Sequence, residues 1–152
     1  MKRIIKRGRD GRYQVRLTDD QREMFADLVA QLRDLLVSGE EDGTRRLFPP
    51  AYADDAEREA GYRALAHDEL LEKRFAALDV VESSAWSTSL TEDELNAWMG
   101  AINDIRLVLG TRLDVTEDMD VISADDPRAP AYAVYLYLTH LLAEIVVALQ
   151  DG

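Results

Sequence analysis

One short stretch of the chain alternates apolar and polar residues, and four longer ones repeat apolar residues every three or four positions. The alternating stretch is Tyr13-Gln14-Val15-Arg16-Leu17, with the period of a half-buried strand. Asp10-Gly11 stands before it and Ile4-Ile5 before that. Asp-Gly suits a hairpin turn, whose central positions take positive φ. Residues 2–17 therefore predict a two-stranded β-hairpin, with Arg12, Gln14 and Arg16 on one side and Tyr13, Val15 and Leu17 on the other. A two-residue turn is one register. A three-residue loop with Gly11 as a bulge is another, and it sets Ile5 opposite Val15 and Arg7 opposite Tyr13. A lone hairpin is marginal in water, so its apolar side must rest on something.

The helical stretches carry start and stop signals. Thr18 with Gln21 forms a capping box, in which side chains satisfy the free N–H groups of a first turn. Phe25, Leu28, Leu32 and Leu35 follow as one stripe, widened by Met24, Val29 and Leu36, and Ser38-Gly39 ends it. Residues 39–53 read as a loop. Asp54 or Asp55 caps the next helix, where Gly61 and His67-Asp68-Glu69 predict a break between a short and a long segment. The long segment turns Leu71, Phe75 and Leu78 inward, with Leu70 and Val81 beside them. Thr91 with Glu94 is a second capping box, and Leu90 with Leu95 a hydrophobic staple. Leu95, Trp98, Ile102, Ile105 and Leu109 form the stripe of that helix. Asp114 to Arg128 reads as an acidic loop, and Pro130 suits the first turn of the last helix. The fold class is mainly α: a single-domain helical bundle over 18–152 with an N-terminal two-stranded β-hairpin.

The last helix is the most apolar segment. Residues 132–149 include His140 and Glu144, with no flanking Lys or Arg anchors, so a buried central helix is expected rather than a membrane span. A helix apolar on nearly every face must be central or paired, which predicts a homodimer.

Composition narrows the chemistry. There is no cysteine, which excludes disulfides, thiolate metal sites and Cys nucleophiles, and fits a cytoplasmic setting. The formal charge of −12 divides into +6 on residues 1–16 and −18 on the remainder. Most of the surface therefore repels phosphate, and any nucleic-acid contact is confined to the hairpin. Basic residues on a hairpin also block edge-to-edge aggregation.

Candidate sites are few. His140 and Glu144 are neighbours on one helical face, which suits a two-ligand half-site, an acid–base pair or a buried structural pair. Two ligands on one helix do not specify a metal, so no metal and no cofactor are expected. Asp118 and Asp120 alternate as in a calcium loop, but the turn glycine and closing glutamate are missing. Ser83, Ser84, Ser87, Thr88 and Ser89 read as a helix exit. Arg106 lies beside the Ile102 and Leu109 stripe, where it needs a carboxylate; Asp104, Asp114 and Glu144 are the candidates. Arg7, Arg12, Arg16, Arg106 and Arg112 are the candidate partner-binding residues, and His140, Glu144, Asp104 and Asp114 the candidate structural polar core.

NDIRLVLGTRLDVTED at 103–118, LRDLL at 32–36, RLFPPAY at 46–52 and DELLEKRFAALDVVE at 68–82 resemble an actinobacterial family of domains of unknown function that includes the oxidative-stress regulator AosR. The likeness covers essentially the whole chain. It implies transcriptional stress control through contact with a protein of the transcription machinery, such as a sigma factor, without catalysis. Direct DNA binding by the hairpin is the alternative, and an enzyme built on His67, His140 and Glu144 a third. Thiol redox sensing is closed to a chain without cysteine, which leaves Met24, Met99 and Met119 as its internal sulfur chemistry.

Overall fold

The computed structural model describes residues 3–38, 54–113 and 125–150, those at 63–67 by backbone alone. Strands β1 (Ile5–Arg7), β2 (Tyr13–Val15) and β3 (Ser89–Leu90) form an antiparallel sheet in that order. Helices α1 (Asp19–Ser38), α2 (Ala56–Ser84), α3 (Glu92–Leu113) and α4 (Ala129–Gln150) form the bundle. The fold is mainly α.

The hairpin takes the three-residue loop. Ile5 pairs with Val15 and Arg7 with Tyr13. The Gly8 N–H donates to the Arg12 carbonyl at 2.7 Å, which leaves Arg9, Asp10 and Gly11 to turn the chain. Gly11 has φ 79°, a left-handed conformation that favours glycine. Tyr13, Val15 and Leu17 are buried and Arg12, Gln14 and Arg16 exposed, as the alternation predicts.

The third strand is an addition to the expected hairpin. Tyr13 pairs with Leu90 and Gln14 with Ser89. Two residues carry too little periodicity to announce a strand, and their serine-rich surroundings resemble a helix exit. This strand extends the hairpin into a sheet, and the apolar side rests on the bundle in one continuous core.

Both capping boxes close in both directions. Thr18 N–H donates to Gln21 Oε1 at 3.0 Å and Gln21 N–H to Thr18 Oγ1 at 3.1 Å. Thr91 N–H donates to Glu94 Oε1 at 2.8 Å and Glu94 N–H to Thr91 Oγ1 at 3.1 Å. The staple residues Leu90 and Leu95 are fully buried. At α2 the cap is Asp55, whose carboxylate accepts the Arg58 N–H.

Two expectations change. Residues 56–84 form one unbroken helix through Gly61 and His67. Glycine costs a helix interior only ~1 kcal/mol, less than the cap and the packing of the C-terminal half return. Leu78 and Val81 of that half are buried, whereas Leu70 is exposed. The second change is the last helix. It is not central: α3 is, packing on α1, α2 and α4. α4 buries Tyr132, Leu138, Leu141, Ile145 and Ala148, and leaves its opposite face open.

Trp98 anchors the centre. Its ring lies 4.8 Å from that of Phe25, and its indole N–H donates to Ser84 Oγ at 2.8 Å. Arg33 joins α1 to α2 by donating to Glu82 and Asp79, with its guanidinium over the Phe75 ring.

Candidate functional site

The alternation of β1 and β2 sorts the N-terminal cations. Lys6 lies opposite Gln14 on the outer face of the sheet, and Arg16 follows on the same face. Arg7 lies opposite Tyr13 on the other face, yet is exposed near the loop. Arg3, Lys6, Arg7 and Arg9 line an open hollow with Gly8, Asp10 and Gly11. Arg12 is committed inside the sheet: its guanidinium donates to Ser89 Oγ at 2.8 Å and to the Ser89 carbonyl at 3.1 Å. The hairpin cations therefore divide. Arg12 fastens β2 to β3, while the side chains of Lys6, Arg7, Arg9 and Arg16 have no hydrogen bond or ion pair among the described residues.

Glu144 fixes the base of this ribbon. Its Oε1 accepts the Ile4 N–H at 2.7 Å, and its Oε2 lies 3.0 Å from His140 Nε2. The pair thus holds β1 to α4 instead of bridging two helices, and His140 is exposed where a buried pair was expected. Beside it the Tyr137 hydroxyl is buried without a hydrogen-bond partner among the described residues. Burial, then the Glu144 charge, raises this phenol above its ordinary pKa.

The remaining predicted residues scatter. Arg106 has no carboxylate partner among the described residues, which leave out Asp114. It donates to Thr139 Oγ1 at 2.8 Å and Asn103 Oδ1 at 3.2 Å, and lies 5.4 Å from the Tyr135 ring centre. It is half-buried, so water and the ring face reduce the need for a counter-charge. Asp104 pairs with Arg74 of α2 instead, turned away from Arg106's contacts. Burial outweighs that ion pair and raises the Asp104 carboxyl above the usual range. Arg112 is exposed at the end of a shallow apolar groove between α1 and α3. Asp114, Asp118, Asp120 and the side chain of His67 lie outside the described residues. Among the described residues no three His, Asp or Glu side chains converge on a point that could hold a metal ion.

A family model described as a domain of unknown function, DUF2017, matches residues 1–149. The chain belongs to the DUF2017 family. It is 35% identical over 98 residues to proteins named oxidative stress regulator AosR in Mycobacterium tuberculosis and Mycobacterium bovis, an overlap of 61% of this chain and 45% of theirs. A Mycobacterium leprae protein named as a candidate AosR is 34% identical over 129 residues, or 72% of this chain and 59% of its own length. The chain spans about half the length of the curated relatives it matches. No solved structure matches it.

One residue of this DUF2017 chain that the sequence reading passed over organises the site's support. Arg22 of α1 is 4% exposed. It donates to the Ala85 and Ser87 carbonyls, both at 2.9 Å, and to the Val15 carbonyl at 3.2 Å. Helix α2 has no basic residue in its last turn, so Arg22 supplies both the donors and the positive charge its C-terminus favours. One guanidinium thereby locks β2, the α2 exit and α1 together. The signal was available: Arg22, Phe25, Val29 and Leu32 share one inner stripe. The chemistry of the surface is charge presentation on a braced sheet.

Proposed function

We propose that this chain is a non-enzymatic, cytoplasmic regulatory module of the stress response that binds an acidic surface on a protein of the transcription machinery, such as a sigma factor. The single observation that carries this reading is the set of exposed cations, Lys6, Arg7, Arg9 and Arg16, on a sheet braced by Glu144 and Arg22 within a chain of net charge −12. A cationic patch on a fixed sheet steers an anionic partner without an entropy cost for ordering the backbone that carries it. The −18 on the rest of the chain disfavours a polyphosphate duplex, whose binding needs several phosphate contacts. The names of the mycobacterial relatives support regulation as the setting.

The test measures binding to purified sigma factors and to duplex DNA at moderate salt, with nuclease-treated protein. The expected result is nuclease-insensitive binding to a sigma factor that falls roughly tenfold or more in a Lys6→Glu, Arg9→Glu, Arg16→Glu variant, since each reversal removes an attraction and adds a repulsion. Partner-independent DNA binding by the wild type, lost in that variant, would overturn the proposal in favour of a DNA-reading ribbon.

A further inference from the structure

We propose that the outward face of α4 is a self-association surface, on which a second copy of this chain packs its own α4. The inference is independent of the basic sheet and its partner.

The face is a continuous seam. Ala133, Leu136, His140, Ala143 and Val147 are all exposed, and their spacing of three, four, three and four residues is the a/d repeat of a helix made to pack along another helix. Leu136 is 47% exposed and Val147 38%. Measured over its most apolar 18 residues, α4 has a mean hydropathy of 1.7, yet 28% of that window is buried. A helix this apolar in a folded soluble bundle is ordinarily surrounded, and this one is covered on one side.

Charge argues for a second copy as the occupant. Glu144 is the sole charged residue from 129 to 150, and its carboxylate is engaged within its own chain, by the Ile4 N–H off the seam and beside the seam residue His140. Two chains of charge −12 repel each other over most approaches. The seam is a strip where they meet without opposed carboxylates. It also offers nothing to a partner recognised by charge. Ala133 and Ala143 let two helices approach closely, while Leu136 and Val147 supply the knobs. His140 in the middle is the single polar residue of the five, and a polar residue inside such a seam fixes register at some cost in affinity.

Area sets the strength. A 22-residue helix is ~33 Å long. A strip of that length and one helix wide buries on the order of 800–1,000 Å² in the pair, at the small end of specific interfaces. The dimer is therefore a reversible one.

Sedimentation velocity of the full chain tests this. The weight-average mass is expected to rise from the 17.2 kDa monomer toward twice that value with concentration, over roughly 1–100 µM for an interface of this size. Leu136→Glu is expected to hold the chain monomeric across the range with unchanged helicity. Because the chain has no cysteine, a His140→Cys variant gives an independent reading. Mild oxidation should join two copies through Cys at the seam, and a control Asn96→Cys, exposed on α3, should not. A wild type that stays monomeric throughout would overturn the proposal. So would a dimer that survives Leu136→Glu and cross-links equally from Asn96→Cys. Leu136-dependent binding of monomer to phosphatidylcholine vesicles, without dimers, would assign the face to a bilayer instead.

Discussion

Helices α3 and α4 are both 22 residues long and lie against each other, and they exchange the roles their compositions suggest. α3 carries six charged residues and α4 one. Yet α3 buries eight residues and α4 five. α3 manages this by position: its stripe from Leu95 to Val108 meets three other helices, and its charges are spent at the edges, in the capping box, on Arg74, and on Thr139. α4 reaches α3 and β1 on one side and keeps an apolar face open on the other. Hydrophobicity says how much a helix gains from burial; it does not say where in the bundle the helix will stand.

The sharpest way to break this comparison is to wound each helix in turn. Trp98→Ala removes the side chain that packs on Phe25 and donates to Ser84, and is expected to cost ~3–5 kcal/mol. Val147→Gln on the open face of α4 is expected to stay within ~0.5 kcal/mol. Urea denaturation at low protein concentration measures both, and a Val147 loss approaching that of Trp98 would mean that α4 is covered in the monomer. A smaller effect tests how far α3 is set by its own first turn. Thr91→Ala leaves the Glu94 N–H without its side-chain acceptor and should lower stability by ~1 kcal/mol. The smallest effect concerns Asp104, the charged group α3 half-buries. Its folded pKa is raised, so the native state takes up this proton before the unfolded state does. Its contribution to stability therefore grows as pH falls from the raised value to the ordinary carboxylate value. Asp104→Asn should remove that gain from a stability-versus-pH curve just above the ordinary range; an unchanged curve would show that the Arg74 pair balances the burial.

Much of the architecture was legible because it is written locally. The boxes at Thr18 and Thr91, the staple at Leu90 and Leu95, and the alternation from Tyr13 to Leu17 each involve residues within five positions of one another. Their partners are fixed by covalent distance, so spacing alone identifies them. The site was legible in part. The basic character of the hairpin was plain, but not the division of its cations, since Arg12 is spent on Ser89, 77 positions away.

What only the tertiary structure decided has the same physical origin throughout. Strand β3 is two residues long and exists because β2 offers it an edge. Arg106 finds Thr139 and Tyr135 some thirty positions away, and Arg22 finds its three carbonyls on segments up to 65 positions away. The continuity of α2 depends on its packing, and the open face of α4 on α3 having taken the centre. A sequence sets the strength of each local preference through bonds a few residues long. Which long-range partner meets which group depends on how whole elements share one interior, and there only the folded arrangement can choose.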